Sequence, residues 1–361
     1  MQVAISFNLL DGDWEPAVTY AVEAERLGVA MAWTAEFWGY DAATPLAFLA
    51  ARTTHLRLGS AIMQVGTRTP ALMAMTAMTL ASLSNDRFIL GLGVSGPQVM
   101  EGWHGVRFER PMQRMRETIE IVRKVTRGER LSYSGAIYDL PLPGGEGKAL
   151  KSVARTCPNL PIYLATLGPK SLEMTGALAD GWLGTSFIPE HAFMFFEPIE
   201  SGAKQAGRSL ADIDLQVSAG VVSFSDDVEQ LIAPRKPGLA FALGAMGSRT
   251  HNFYNDVYRR AGYADIATEV QDLWLKGERE AATARVPDEL VLKTNLLGTE
   301  DMVRERIRIH QAAGVNTLRV EPDGATLDER LATLARLVEL VNEVSAEFTS
   351  QTHTRNLMAP Q

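Results

Sequence analysis

A single cysteine, Cys157, stands among 361 residues, so no disulfide can close within the chain and a reducing compartment is the simple expectation. No window approaches the roughly 18 uninterrupted apolar residues of a membrane-spanning helix. No long basic run occurs, and 35 Lys+Arg are outnumbered by 43 Asp+Glu, a net charge of −8 that argues against a nucleic-acid footprint. The opening residues, MQVAISFNLLDGD, lack the basic start and small-residue cleavage site of a secretory signal, so a cytoplasmic protein is expected. The six histidines (His55, His104, His191, His251, His310, His353) include no pair at metal-ligand spacing, and no metal is expected. Ser95 lacks the GxSxG frame of a hydrolase nucleophile because Pro97 holds its last position, and no Walker-type phosphate loop is present.

What is present is ordinary globular stock: 46% hydrophobic and 22% charged residues, enough for a large core. That composition excludes a disordered chain, a collagen-like fibre and a disulfide scaffold. At about 150 residues per domain the length fits two domains, or one α/β barrel with insertions.

Short apolar runs alternate with helical periodicity. Val3 to Phe7 reads as a strand, followed by Trp14, Ala17, Val18, Ala21 and Val22 at helical spacing, with Asp13 as cap and Gly28 as stop. Strand-like runs recur at 29–33, 56–63, 88–94, 161–166, 181–187, 215–224 and 316–320. Helical stretches follow at 44–52, 70–83 and 112–125, from Ser171, after Phe187, and at 327–344. Thr299 caps a further helix that Gly314 ends. Eight strand–helix units with non-alternating apolar strands predict a parallel sheet covered on its outer face, and eight is the number that closes a (β/α)8 barrel of the TIM type. An open doubly wound sheet is the competing arrangement. Two segments interrupt the rhythm: 130–158, with YSGAIYDL, reads as a hairpin excursion, and 226–287 as a helical insertion serving as lid, dimer contact or both. The expected organisation is one barrel over residues 1–345 carrying these insertions, then a tail at 346–361.

Gly91-Leu92-Gly93-Val94-Ser95-Gly96 matches GxGxxG formally, but it follows the fourth strand rather than the first. Pro97 comes next, and the region about 20 residues on, with Arg116 and Glu117, is helical rather than a second strand end, which disfavours a nicotinamide fold. What survives is a glycine loop whose backbone can approach a ligand and whose N–H groups can hold anionic oxygens; a tight turn without ligand is the bland alternative. Thr166-Leu167-Gly168-Pro169-Lys170 repeats the logic after the fifth strand, although Gly-Pro is common turn chemistry. Glu36 follows the second strand among Trp33, Phe37 and Trp38. On a barrel it would face the catalytic mouth, in a poorly hydrated place suited to proton transfer; a solvated loop acid is the alternative.

The segments FILGLGVSGPQVMEGWHG (Phe88 to Gly105), LRLGSAIMQVGTRTP before it and LPIYLATLGPKSLEMTGALADGWLG after it resemble the bacterial-luciferase-like flavin and deazaflavin oxidoreductases. GTEDMVRERIRIHQAAGVNTLRV is similar to that family's last helix and strand. The likeness runs over about residues 1–345, except for the insertion before strand eight. It implies a (β/α)8 barrel, usually a homodimer, with a flavin-like cofactor at the C-terminal mouth and a small-molecule substrate. SGPQVMEGWHG is most similar to the branch using coenzyme F420, the 5-deazaflavin; the alternative is flavin mononucleotide (FMN) and a monooxygenase.

Carried over by position, the resemblance implies a non-prolyl cis peptide at Ala61–Ile62 behind the ring and Gln64 beside it. It also implies a loop of Gly93, Val94, Ser95, Gly96, Pro97, Gln98 and Val99 around the ring edge and ribityl chain. Thr166, Leu167, Gly168, Pro169 and Lys170 match the phosphate-side loop. Some deazaflavin dehydrogenases carry a Glu where this chain has Gly96, which leaves Glu36 as the acid/base candidate and puts a sugar-phosphate dehydrogenase in doubt. The expected reaction is hydride transfer between the deazaflavin and a small, fairly apolar substrate, with Trp38, Trp103 and Phe187 on the substrate side. Two rivals remain: an FMN-dependent monooxygenase on the same barrel, and a non-catalytic barrel that binds a cofactor or partner.

Overall fold

The computed structural model describes residues 1–7, 12–246 and 252–358, with side chains to residue 349. Eight parallel strands form the staves of a closed barrel: β1 Gln2–Ser6, β2 Met31–Thr34, β3 Arg57–Ser60, β4 Phe88–Gly93, β5 Ile162–Leu164, β6 Gly181–Gly184, β7 Asp214–Phe224 and β8 Thr317–Pro322. Each pairs with the next, and closure is completed where Gln2 lies beside Thr317. The sheet is thus a barrel and not the open doubly wound alternative. Outside it run α1 Trp14–Arg26, α2 Ala43–Arg52, α3 Pro70–Leu83, α4 Pro111–Thr126, α5 Pro169–Leu178, α6 Phe193–Gln205, α7 Glu300–Ala312 and α8 Leu327–Met358.

Local chemistry sets the boundaries. The Thr69 and Thr299 side chains accept the amides of Leu72 and Met302, satisfying donors that a helix start leaves open. Gly28 (φ 89°) follows the last turn of α1, as its sequence position predicts. Asp13 occupies the cap position of α1 but makes no side-chain cap bond, so that part of the expectation fails. β6 is shorter than the run 181–187 predicted, because Ser186 turns left-handed (φ 52°) and leads the chain off the sheet.

Strand residues divide by face. Ile5, Leu58, Leu92, Ile162, Val217 and Leu318 join the helices in the outer core, whereas Ala4, Met31, Trp33, Ile89, Tyr163 and Leu183 plug the barrel interior. Gly91 shows why β4 tolerates no side chain there: a Cβ would lie 1.8 Å from the Ser60 carbonyl oxygen.

Between α4 and β5, Tyr133–Ser134 pairs antiparallel with Asp139–Leu140. Glu117 on α4 pins this hairpin by accepting the amides of Ala136, Ile137 and Tyr138. Burial opposes its charge, but those amides and the Gln113 side chain hold the carboxyl below its usual range. After β7, the described residues of 225–295 include six α-helices (Val228–Ile232, Lys236–Gly244, Phe253–Tyr258, Ala264–Leu275, Arg279–Ala284, Asp288–Thr294) around their own core of Leu243, Tyr258, Val270 and Leu290. The chain then returns through Leu296–Gly298, which pairs with the end of β7.

Candidate functional site

The mouth at the C-terminal strand ends has two unlike sides. On one, β3 stops at Ser60, passes through Ala61–Ile62, whose peptide bond is cis, and resumes as Met63–Gln64 beside β4. Ile62 occupies the space a side chain on Gly93 would need, since a Cβ there would lie 2.8 Å from Ile62 Cγ1 and Cδ1. Ala61 and Ile62 also pack on the interior plug, making an apolar shelf. β4 continues through Val94, Ser95 (φ 59°) and Gly96 into a single turn, Pro97–Met100, that contains Gln98 and Val99. Its neighbour β5 continues through Thr166, Leu167 and Gly168 into α5, which starts with Pro169 and Lys170. The positions singled out in the sequence therefore come from three adjacent staves and meet along one arc of the rim. Among the described residues, the amides of Val94, Ser95, Gly96, Thr166, Leu167 and Gly168 have no acceptor. They form a set of unpaired donors fit for carbonyl or anionic oxygens.

Glu36 stands beside this arc, but its surroundings differ from the expected aromatic cage. Phe37 and Trp38 turn outward, 48% and 55% exposed, and an arginine takes their place. Arg68 grips the carboxylate with two bonds, Nη1 to Oε1 at 2.6 Å and Nη2 to Oε2 at 3.0 Å, while the Ala42 amide donates to Oε2 at 3.1 Å. Gln64 is 1% exposed and donates Nε2 to the Glu36 carbonyl at 2.7 Å, so it supports the Glu36 loop, while its Oε1 is buried with no partner among the described residues. Glu36, Thr67, Arg68, Trp103 and His104 share a cavity of about 340 Å³. His104 Nε2 is buried there with no partner among the described residues.

The other side is a chamber of about 800 Å³ under the helical insertion, within the range of small-molecule sites. Its wall is mostly apolar, with Trp14, Trp38, Tyr40, Phe241 and Met246, and the β7 residues Ser218 and Gly220 also border it. Trp38 and Phe187 both border it; Trp103 does not and belongs to the smaller cavity. Phe187 is 1% exposed and packed against Trp182, Phe195 and Phe196, with ring centroids 5.6–6.1 Å apart, so it is core as much as wall. The cofactor-loop positions do not border the chamber. Two hydrogen bonds among the described residues join the sides: Arg260 of the insertion donates to the Leu167 carbonyl at 2.7 Å, and Trp182 Nε1 donates to the Thr166 carbonyl at 2.9 Å.

Sequence reading missed Arg68, His104, Arg260 and the chamber residues Arg235, Tyr254 and Glu321. Arg68 had a usable signal, a cation in the loop after the third strand and so at the mouth. His104 lies within SGPQVMEGWHG but without metal-ligand spacing to mark it, and the rest lie in the insertion or on β8 without a motif.

A closed parallel barrel with a glycine loop, a bent third stave and a helical cover over the mouth defines a class. The chain belongs to the luciferase-like monooxygenase family, whose model matches residues 4–317. It is 40% identical over 351 residues, covering 94% of this chain and all of the relative, to a Mycobacterium tuberculosis protein named "Putative coenzyme F420-dependent oxidoreductase". A 5,10-methylenetetrahydromethanopterin reductase of Archaeoglobus fulgidus is 28% identical over 302 residues, 82% of this chain and 86% of its own. Among solved structures, the coenzyme F420-dependent tetrahydromethanopterin reductase of Methanopyrus kandleri superposes with a TM-score of 0.76 at 23% identity, over 93% of this chain and 98% of that one. The oxygenating constituent of the Pseudomonas putida 3,6-diketocamphane monooxygenase, in complex with FMN, superposes at 0.68 and 18% identity, over 95% and 98%. These two likenesses speak to the fold.

Proposed function

We propose that the protein is a coenzyme F420-dependent oxidoreductase that transfers hydride between the deazaflavin and a small organic substrate. The observation that carries this reading is the arc of unpaired amides beside the Ala61–Ile62 shelf, a flat apolar backing flanked by donors, in a chain 40% identical to a protein named for F420 use. When bound, the deazaflavin supplies a ring carbon that carries hydride. The chain's own contribution is orientation and proton handling. Ala61 and Ile62 would back the deazaflavin's ring, and Val94 to Val99 with Thr166 to Lys170 would hold the rest of it. Glu36 exchanges the accompanying proton at its carboxylate, held by Arg68 and the Ala42 amide, and Gln64 fixes the loop carrying it. Trp38 and Phe187 face the substrate, and the insertion keeps water from it.

Absorbance titration with oxidised F420 and with FMN tests this. Tighter binding of F420, and no oxygen consumption in the presence of reduced FMN, is the expected result; tight FMN binding with oxygen uptake replaces it with the monooxygenase reading. No turnover with either cofactor over a broad substrate panel leaves the non-catalytic barrel. The exposed Leu72, Met75 and Leu83 on α3 support a homodimer, which sedimentation equilibrium checks. Among the described residues no helix is long and apolar enough to cross a membrane.

A further inference from the structure

The chamber is mostly apolar, with Asp41, Arg235 and Asn295 among the polar groups on its wall and a further polar set at its floor. In β8, Leu318 and Val320 join the outer core, so Thr317, Arg319 and Glu321 point inward. Arg319 lies level with Ser218 of β7, and Glu321 with Val221 one layer nearer the mouth; Ser218, Val221, Glu321 and Tyr254 all border the chamber. Arg319 is partly buried, and its electrostatic neighbours are Glu321 and Tyr254. Arg319 is not itself among the residues that border the chamber, but Ser218, Glu321 and Tyr254 around it are, so it is reached from the floor they form. Among the described residues it donates no hydrogen bond and makes no ion pair, whereas the guanidinium that does border the chamber, Arg235, is paired with Asp323. A guanidinium keeps its proton and can only donate, so an enclosed one without an acceptor is a recognition element waiting for one.

We propose that Arg319, with the Ser218 and Tyr254 hydroxyls beside it, forms the polar floor of the substrate chamber and binds the carbonyl oxygen of a neutral, largely apolar substrate. The charges explain why the ligand is neutral. Arg235 is already paired with Asp323, while the carboxylates Asp41 and Glu321 both border the chamber, so an anion would meet like charge there and a cation would meet it at Arg319. Glu321 near Arg319 repels a carboxylate, while a carbonyl oxygen takes a charge-assisted bond without that penalty. The aromatic wall, with Trp14, Trp38 and Phe241, suits a ring-bearing body. The inference deepens the oxidoreductase reading by naming a substrate class, and it rests on that reading only for calling the chamber a substrate site.

The test uses calorimetric binding of three matched probes to the full-length chain without added cofactor: 2-acetylnaphthalene, its hydrocarbon counterpart 2-isopropylnaphthalene, and 2-naphthoate. The ketone is expected to bind at least about tenfold more tightly than the hydrocarbon, the value of one charge-assisted hydrogen bond, with naphthoate weakest. Arg319→Met is expected to bring the ketone down to the hydrocarbon's affinity and leave the hydrocarbon unchanged. Equal affinities in the native protein, tightest binding of naphthoate, no binding of any probe, or a ketone preference that survives in Arg319→Met would each overturn the proposal. Should Arg319→Met fail to fold, Arg319→Lys and Tyr254→Phe decide in its place: each is expected to shrink the preference several-fold, and an unchanged preference in both overturns it. F420 titration of the same preparation is read separately. A chain that ignores F420 but prefers the ketone sinks the cofactor reading alone.

Discussion

The mouth's two sides solve different problems with different materials. The β3–β5 side is made of backbone: a bent stave, a glycine where a neighbour must come close, and two loops with unpaired amides. The β6–β8 side is made of side chains: stacked aromatics behind it, a helical cover above, and a few charged groups. Backbone donors suit a ligand that never changes, because their geometry survives most substitutions. Side-chain walls suit a ligand that differs between relatives, because single substitutions reshape them.

That contrast can be broken experimentally. The largest effect is expected from Glu36→Gln, which should lower turnover by about 10²–10⁴-fold, the range for general acid–base groups, with cofactor affinity within about twofold. Steady-state rates and a cofactor titration separate the two, and unchanged turnover removes Glu36 from the chemistry. The dryness of the aromatic side is tested through His310 on α7, which lies against Phe187 and donates Nδ1–H to the Arg306 carbonyl. Burial pulls its pKa down to about 4 from an ordinary 6.5. Between those values the unfolded chain binds the extra proton and the folded one does not. Stability is therefore lost as pH falls from 6.5 toward 4, by about 3 kcal/mol at most. Urea unfolding at pH 7 and pH 4.5 measures this; His310→Gln should flatten the difference, and an equal acid loss in the variant refutes the assignment.

Gly93→Ala should act on the backbone side alone. Its methyl group collides with Ile62, so cofactor Kd should rise about tenfold, an effect of about 1.4 kcal/mol, with substrate KM barely moved. Smallest is Trp38→Ala on the opposite wall, where loss of one aromatic contact should raise substrate KM about threefold and leave cofactor Kd alone. If either variant shifts both parameters together, the two sides are not independent, and the Arg260–Leu167 bond is the first place to look.

The eight staves were legible because a buried parallel strand must be apolar on both faces, and runs such as Phe88 to Leu92 say so without tertiary information. The glycine loop of the rim was legible for a related reason: close backbone approach needs glycine at fixed positions. The partner of Glu36 was not, because Arg68 lies 32 residues on and the pair exists only once β2 and β3 are side by side. Trp103 and Phe187 show what an aromatic's place in the sequence leaves open. Both aromatics sit near the mouth in sequence, but Trp103 turns to solvent at 63% exposure and Phe187 is claimed by Trp182 and Phe196. The chamber floor escaped because Arg319 sits in a strand whose interior face is defined only by its neighbours' register.

The six-helix segment leaves β7 at Phe224 and returns through Leu296–Gly298, with Val222 beside Leu296 and Phe224 beside Gly298. Its two anchor points are therefore neighbouring strands, about 4.8 Å apart, whatever lies between them. A segment held that way is a cassette: it can lengthen, shrink or be exchanged without moving any other stave. Transplanting residues 225–295 between relatives should accordingly transfer preference for one molecule over another while redox equipment stays where it was, making this junction the natural splice site for retargeting the enzyme.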